Sequence, residues 1–170
     1  MADAQTKYKL IILYMLRKVT FPLSNSQITE FMIEKEYTDY FHIQEALNDL
    51  VDSKLIVLDQ IRNTTQYEAT LDGEKTLEYF SYMISNDIKA EIDAYMRENA
   101  FELRNESSTR ADYRQTGNGD YAVTCTVKEG NESLIDLTFT VPMEEEAERV
   151  CSKWPEKSQE IYMYIMEKLL

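Results

Sequence analysis

The spacing of apolar residues changes along the chain, and this change limits the folds it can adopt. Up to about residue 104 the apolar residues recur every three or four positions, as on one face of a helix. From about residue 109 to residue 141 they alternate with polar residues, as in half-buried strands. A chain of 170 residues can build two small cores. We therefore predict an α+β protein with two domains, residues 1–85 and 86–170.

Three helices followed by two strands are predicted for the first domain. Ser24 and Gln27 have the spacing of a capping box, and Thr38 or Asp39 can cap the next helix. A polar loop, residues 59–65, separates the two strands. This order is that of a winged helix-turn-helix domain. The predicted elements are a helix over about 5–18, a helix from Ser24 to about 36, a helix beginning after residue 39, a buried strand over 55–58 and a strand over 66–69.

The rest of the chain is predicted to contain a helical connector, a three-stranded antiparallel sheet and C-terminal helices. Gly117-Asn118-Gly119 and Gly130-Asn131 provide residues that tolerate the positive φ of tight hairpins, so the sheet is expected to be a meander. Pro155 is expected to break the helix that follows the sheet. The predicted elements are a helix capped by Thr70, a helix from Asn86 to about 104, strands within 109–141, a helix after Pro142 and a final helix over 156–170.

One short segment resembles a known group of regulators. Tyr67-Glu68-Ala69-Thr70-Leu71-Asp72-Gly73 is similar to the Y-x-L-T-x-x-G segment that follows the wing in PadR-like and MarR-like transcriptional regulators, with Ala69 in place of Leu. The resemblance implies a strand that ends on a Thr helix cap, and a Gly that lets the next helix pack closely. The whole chain also resembles a bacterial domain-of-unknown-function family of about this length with a winged-helix start, which implies no substrate and no catalytic residues.

The third helix of a winged-helix domain normally enters the major groove, and the wing contacts the DNA backbone or the minor groove. Gln44 and Asn48 are spaced i, i+4, and their side-chain amides can pair with adenine. Arg62 and Thr64 lie in the predicted wing. The alternative is that these residues are ordinary solvated side chains. The candidate DNA-contacting residues are His42, Gln44, Asn48, Lys54, Arg62, Asn63 and Thr64.

The charge of the chain argues against a typical DNA-binding surface. The formal net charge is −13, whereas nucleic-acid binders usually carry a basic patch. The third helix and its cap carry four carboxylates, those of Asp39, Glu45, Asp49 and Asp52. A DNA-binding transcriptional regulator is therefore one hypothesis, and a protein-interaction module with a basic partner is the other.

The sequence contains no pattern typical of an enzyme. His42 is the only histidine, and no Gly-rich phosphate loop, nucleophile elbow or carboxylate pair accompanies it. Three consecutive glutamates, 144–146, point about 100° apart on a helix and cannot converge on one ion. Cys125 and Cys151 occupy apolar positions and are expected to be buried, reduced thiols. We expect no catalytic activity, cofactor or metal.

The distribution of apolar residues also predicts where the protein is located and whether it forms an oligomer. No apolar run reaches the ~18–20 residues that span a bilayer, and the N-terminus lacks the layout of a signal peptide, so we expect a cytoplasmic protein without membrane contact. Residues 161–166 are apolar around almost the whole helix and need burial on more than one side. This predicts a homodimer formed through the C-terminal region. The alternative is burial between the two domains.

Overall fold

The computed structural model describes residues 3–61, 64–129 and 132–170. The chain divides into two compact units, residues 1–104 and 105–170. This division differs from the predicted boundary after residue 85, because Ile92, Met96 and Leu103 are buried in the core of the first unit. An α+β class is confirmed, with two three-stranded antiparallel sheets.

Unit 1 has the helices predicted for it, but residues 59–61, 64 and 65, predicted as part of a polar loop, lengthen the two strands, and the short strand β1 was not predicted. The capping box at Ser24 is confirmed, since the Gln27 amide donates to Ser24 Oγ (3.0 Å) and the Ser24 amide donates to Gln27 Oε1 (2.9 Å). Asp39 and Thr70 cap the next two α-helices. The elements are α1 (Ala4–Arg17), β1 (Leu23–Ser24), α2 (Asn25–Glu34), α3 (Tyr40–Asp52), β2 (Ile56–Ile61), β3 (Thr64–Ala69), α4 (Leu71–Phe80), a 3-10 turn (Ser81–Met83) and α5 (Asn86–Ser108).

Helix α1 is the centre of the unit 1 core. Its residues 10–13 are buried around a full turn, because α1 packs against α3, α4 and β3. Burial of each large aliphatic side chain contributes about 1.5–3 kcal/mol. The other buried apolar residues of this core come mainly from α2, α3 and α5, and include Ile28, Phe31, Met32, Ile43, Leu47, Leu50, Ile92 and Met96.

The first sheet has the strand order β1-β3-β2, and all its pairings are antiparallel. Strand β2 was expected to be buried over residues 55–58, and this is wrong for most of the strand. Ile56 is buried, but Val57 and Leu58 are 52% and 49% exposed. The physical reason is position, since β2 is an edge strand with β3 as its neighbour. A short apolar run does not reveal whether its strand is central or at an edge.

Gly73 has the packing role implied by the Tyr67–Gly73 segment. A Cβ atom at this position would lie 2.0 Å from the carbonyl oxygen of Leu55 and 3.2 Å from Cδ2 of Leu13. The Gly73 amide donates to Thr70 Oγ1 (3.0 Å), which caps α4. Helix α4 therefore starts in close contact with α1 and with Leu55, in the connection between α3 and β2, and only a glycine fits there.

Unit 2 is a meander covered by one helix. The strands β4 (Thr109–Gln115), β5 (Tyr121–Glu129) and β6 (Glu132–Val141) pair in the order β4-β5-β6, which confirms the predicted three-stranded antiparallel sheet. Gly119 has the positive φ (89°) expected in the β4–β5 turn. Gly130 and Asn131 lie outside the described residues. The helix is α6 (Glu144–Leu169), and the core contains Val123, Cys125, Ala147, Cys151 and Trp154.

The predicted break at Pro155 is wrong, because α6 continues through it. Ala147, Cys151, Trp154 and Ser158 are buried and recur at spacings of four, three and four, which makes one continuous stripe across the proline. Trp154 also donates from Nε1 to the carbonyl oxygen of Thr126 (3.1 Å). Burial on both sides of Pro155 therefore outweighs the local preference of proline to end a helix.

Candidate nucleic-acid interface

The connection between α2 and α3 is a compact turn over residues 35–39. Glu36 adopts a left-handed conformation (φ 58°), and the Tyr37 amide donates to the carbonyl oxygen of Met32 (3.0 Å), as at a helix end of the Schellman type. Asp39 then starts α3 by accepting from the His42 amide (3.0 Å). The two helices are thus joined through satisfied backbone groups.

Burial of one face of α3 defines which residues the opposite face presents. Ile43, Ala46, Leu47 and Leu50 are fully buried. The opposite positions are exposed and recur at spacings of four, three and four, so they form one line along the helix. We call this line the α3 outer stripe, and its members are Phe41, Glu45, Asn48 and Asp52.

Gln44, which was predicted to contact bases, lies beside this stripe in a network between α2 and α3. Its Nε2 donates to Asn25 Oδ1 (3.0 Å) and to Thr29 Oγ1 (3.1 Å). Its Oε1 accepts from Asn25 Nδ2 (2.7 Å), which also lies 3.2 Å from the Tyr67 hydroxyl. These part-buried bonds occupy both ends of the Gln44 amide, so this side chain links α2 to α3.

His42 is exposed, and its contacts are within unit 1. Its Nδ1 lies 2.7 Å from Asp39 Oδ1, and its ring stands edge-on to Tyr8 with the centroids 6.0 Å apart. Its carbonyl oxygen accepts from Gln5 Nε2 (3.2 Å). Hydrogen bonding, first from the His42 amide and then from its side chain, lowers the pKa of Asp39. Through its contacts with Tyr8 and Gln5, His42 therefore connects the start of α3 to α1.

The other predicted contact residues lie at separate places. Asn48 is exposed on the α3 outer stripe, and Thr64 is exposed at the start of β3. Lys54 ends α3 in a left-handed conformation (φ 63°), with its side chain exposed and its carbonyl oxygen accepting from Thr70 Oγ1 (2.8 Å). Arg62 and Asn63 lie outside the described residues.

The negative charge of α3 is partly balanced by neighbouring groups. Asp49 Oδ2 lies 3.1 Å from the ammonium group of Lys9 in α1, and Asp39 is bonded to His42. Glu45 and Asp52 lie on the exposed outer stripe. Of the four carboxylates, Asp49 has a cationic partner that reduces its repulsion of a phosphate, and Asp39 accepts the capping hydrogen bond of α3.

Sequence reasoning did not single out the aromatic pair at the start of α3. Tyr40 and Phe41 are 52% and 79% exposed, and their rings stand edge to face with the centroids 5.8 Å apart. The signal was present, because both lie outside the set of Ile43, Leu47 and Leu50 that defines the buried face. Two exposed aromatic rings at the first turn of α3 offer apolar area against which a base or a protein side chain can pack.

Metal-binding clusters and membrane-spanning helices are absent from the described residues. Within residues 3–61, 64–129 and 132–170, no group of three or more His, Cys, Asp or Glu side chains is placed to hold a metal ion. Across the same part of the chain, no helix has the length and apolar character needed to cross a membrane. The surface of α3 and the β2–β3 hairpin is the candidate functional site.

The fold and this surface define a two-unit α+β protein, with a helical unit that presents an exposed α3 and a second unit built on a meander. The chain belongs to the family described as Domain of unknown function (DUF4364), whose sequence model matches residues 8–169. The comparisons with curated proteins and with solved structures gave no significant match.

Proposed function

We propose that unit 1 is a winged helix-turn-helix domain and that the protein is a DNA-binding transcriptional regulator. The observation that supports this most is the arrangement of α1, β1, α2, α3, β2 and β3 with the sheet order β1-β3-β2. In such a domain α2 and α3 form the helix-turn-helix, and the β2–β3 hairpin is the wing. The capped turn between α2 and α3 and the exposed outer stripe agree with these roles.

In this proposal the α3 outer stripe enters the major groove. Asn48 is the side chain best suited to read adenine, because it is exposed and carries both a donor and an acceptor. Phe41 can contact a thymine methyl group. Gln44 positions α3 instead of reading bases, since its amide is already bonded to Asn25 and Thr29. Thr64, together with Arg62 and Asn63, contacts the DNA backbone from the wing.

The charge distribution predicts weak dependence on salt. Among the described residues near the proposed surface, exposed cations are few, and Lys9 is paired with Asp49. If about three lysines contact phosphates, log K should fall with log salt with a slope of roughly −3, which is shallow for a regulator. Binding would then depend on base contacts and on two DNA-binding domains in a dimer more than on non-specific attraction.

We propose that the protein is a non-enzymatic, cytoplasmic homodimer.

Selection from random-sequence duplex DNA at low salt tests this function directly. The full-length protein should enrich a motif with two related half-sites about one helical turn apart. Asn48→Ala should weaken binding to that motif by roughly 5- to 150-fold, the equivalent of ~1–3 kcal/mol for a good amide–base pair. Asn118→Ala, a matched change in the β4–β5 turn, should leave it unchanged. Selection that enriches no motif would exclude the proposal.

A second candidate function is protein interaction, which the exposed aromatic pair favours. Phe41 lies beside Tyr40 and one helical turn from Glu45, so this end of the surface is apolar and acidic and would suit a basic protein. Affinity purification of the wild type and of Phe41→Ala distinguishes the two functions. A basic partner that is captured by the wild type and lost with Phe41→Ala, with no DNA motif enriched, would favour this second function.

A further inference from the structure

The two edge strands of the sheet in unit 2 carry different residues. In β4, charged residues occupy three alternate positions, Arg110, Asp112 and Arg114. In β6, Asp136 is the only charged residue between Leu134 and Val141, and that segment has no Lys or Pro. Charged residues and Pro are the means by which proteins keep an edge strand from pairing with another chain. Edge β4 carries these charges along its whole length, whereas edge β6 has Glu132 at its start, Asp136 in its middle and Pro142 just beyond its end, so its stretch from Leu137 to Val141 has none.

The apolar residues of β6 are also incompletely covered. Helix α6 packs mainly on β4 and β5, so the row that faces it from β6 is less shielded. Ile135, Leu137 and Val141 are only partly buried, and Phe139 is 41% exposed. Leu134 is 48% exposed. A ten-residue edge strand with this pattern has both free backbone groups and apolar side chains to offer to a partner.

We propose that β6 pairs antiparallel with β6 of a second copy, so that two meanders form one six-stranded sheet. The sequence of β6 is self-complementary in this arrangement, as a two-fold axis requires. With the axis at Thr138, Leu137 faces Phe139 of the second copy and Asp136 faces Thr140. An axis at Asp136 would oppose two carboxylates, which destabilises a cross-strand pair. The register proposed here centres on Thr138, because it opposes the apolar side chains of Leu137 and Phe139 and keeps the Asp136 carboxylates apart.

This dimer differs from the one predicted from residues 161–166, because its interface is a strand edge. It also does not rest on the proposed function. If the chain dimerises through β6 but enriches no DNA motif, DNA reading by unit 1 is excluded and the interface stands. If the chain binds DNA but does not pair through β6, only the interface is excluded.

Spin labelling of the full chain tests the arrangement. Cys125 and Cys151 are buried, so a nitroxide reagent should react with an introduced cysteine alone, and unlabelled wild type provides the check. Labels at Thr138→Cys should broaden each other strongly, because opposite residues of paired strands have Cα atoms about 4.5–5.5 Å apart. The control is Asp112→Cys in β4. Residue 112 lies on the same cross-strand row as residue 138. In the six-stranded sheet its two copies are separated by five strand spacings, or roughly 24 Å.

A substitution provides an independent measurement. Phe139→Lys places a charge in the apolar row and should raise the dimer dissociation constant at least tenfold in sedimentation velocity. Gln115→Lys introduces the same residue on the protected edge and should leave the constant unchanged. Circular dichroism checks that both variants are folded. The proposal would be overturned by a wild type that is monomeric at all concentrations. It would also be overturned by a dimer in which the labels at residue 138 are more than roughly 20 Å apart, which is about four strand spacings.

Discussion

The side-chain amides of Asn25 and Gln44 form two hydrogen bonds with each other, one in each direction between α2 and α3. Asn25 Nδ2 donates to Gln44 Oε1 at 2.7 Å, and Gln44 Nε2 donates to Asn25 Oδ1 at 3.0 Å. Both side chains are partly buried, and Thr29 and Tyr67 provide further partners. The angle between the two helices is therefore fixed by polar groups as well as by apolar packing.

Removal of either amide should destabilise unit 1. Gln44→Ala removes both hydrogen bonds between the amides and leaves Asn25 with only Thr29 and Tyr67 as partners, so we expect the free energy of unfolding to fall by about 1–3 kcal/mol. The double variant with Asn25→Ala should show a coupling energy of about 0.5–3 kcal/mol. Urea unfolding followed by circular dichroism measures both. The control Asn48→Ala, on the exposed stripe, should change stability by less than about 0.5 kcal/mol. Additive effects of the two substitutions would contradict the role given to this pair.

Gln44 also shows where the sequence is informative and where it is not. The period of apolar residues places Ile43 and Leu47 in the core, and capping preferences place the starts of α2, α3 and α4 correctly. These properties are local. Whether a polar residue beside the buried face points to solvent or to a neighbouring helix depends on which residues that helix presents. Asn25 is 19 positions away, and nothing in the spacing of α3 reveals it.

The same distinction explains two other differences. The local preference of Pro155 to end a helix is correct for an isolated segment, but the stripe from Ala147 to Ser158 is buried against a sheet formed by earlier residues. Strand β2 is apolar in sequence, but its edge position leaves Val57 and Leu58 exposed. In both cases the place of the segment in the folded unit decides whether it stays helical or is buried. The local sequence pattern carries no information about that place.

Gly73→Ala should be strongly destabilising. The new methyl group would meet the Leu55 carbonyl oxygen at 2.0 Å, and a backbone atom of this kind cannot move aside cheaply. We expect a loss of at least about 1–3 kcal/mol in the free energy of unfolding, the usual range for overpacking. Gly117→Ala is the matched control, because a Cβ there has no atom within 4 Å. Thermal unfolding of the two variants gives the comparison, and equal midpoints would show that α4 can shift to make room.

The cap formed by Asp39 should make the start of α3 sensitive to acid. Hydrogen bonds from His42 lower the pKa of Asp39 below its usual value of 3.8. The stabilisation by the charged carboxylate is therefore present above pH 3.8 and is lost as the pH falls through the lowered value. Asp39→Ala should reduce stability at pH 6, and the difference from wild type should shrink toward pH 3.

An Asp39→Ser variant distinguishes the contribution of N-capping to stability from the contribution of the carboxylate charge. Serine is also a good N-cap, so this variant should keep most of the stability at pH 6 but lose the acid dependence that comes from residue 39. Urea midpoints measured at half-unit steps of pH give both quantities. A constant difference between wild type and Asp39→Ala over the whole range would contradict a role for the carboxylate charge.

The two cysteines should be inert in the folded protein. Burial, and then the neighbouring Cys151 thiol, raise the pKa of Cys125 to about 11. Since the thiolate is the reactive form, neither residue should react with an aromatic disulfide reagent at pH 8 until denaturant is added. Asn118→Cys, in the exposed β4–β5 turn, should react rapidly under the same conditions. Stoichiometric reaction of the native wild type would show that α6 separates from the sheet readily.

Pro155→Ala should stabilise unit 2. Proline in a helix interior is about 3 kcal/mol less favourable than alanine, because it removes one hydrogen bond and its ring clashes with the preceding turn. Pro155 is exposed, so its replacement disturbs little packing, and we expect a gain of roughly 1–3 kcal/mol. Trp154, the only tryptophan, is buried against the sheet, and its fluorescence reports unfolding of this unit in particular. The neighbouring exposed residue gives the control, since Glu156→Ala should change the urea midpoint little. A Pro155→Ala protein less stable than wild type would mean that the proline shapes α6 so that Trp154 and Ser158 can both reach the sheet.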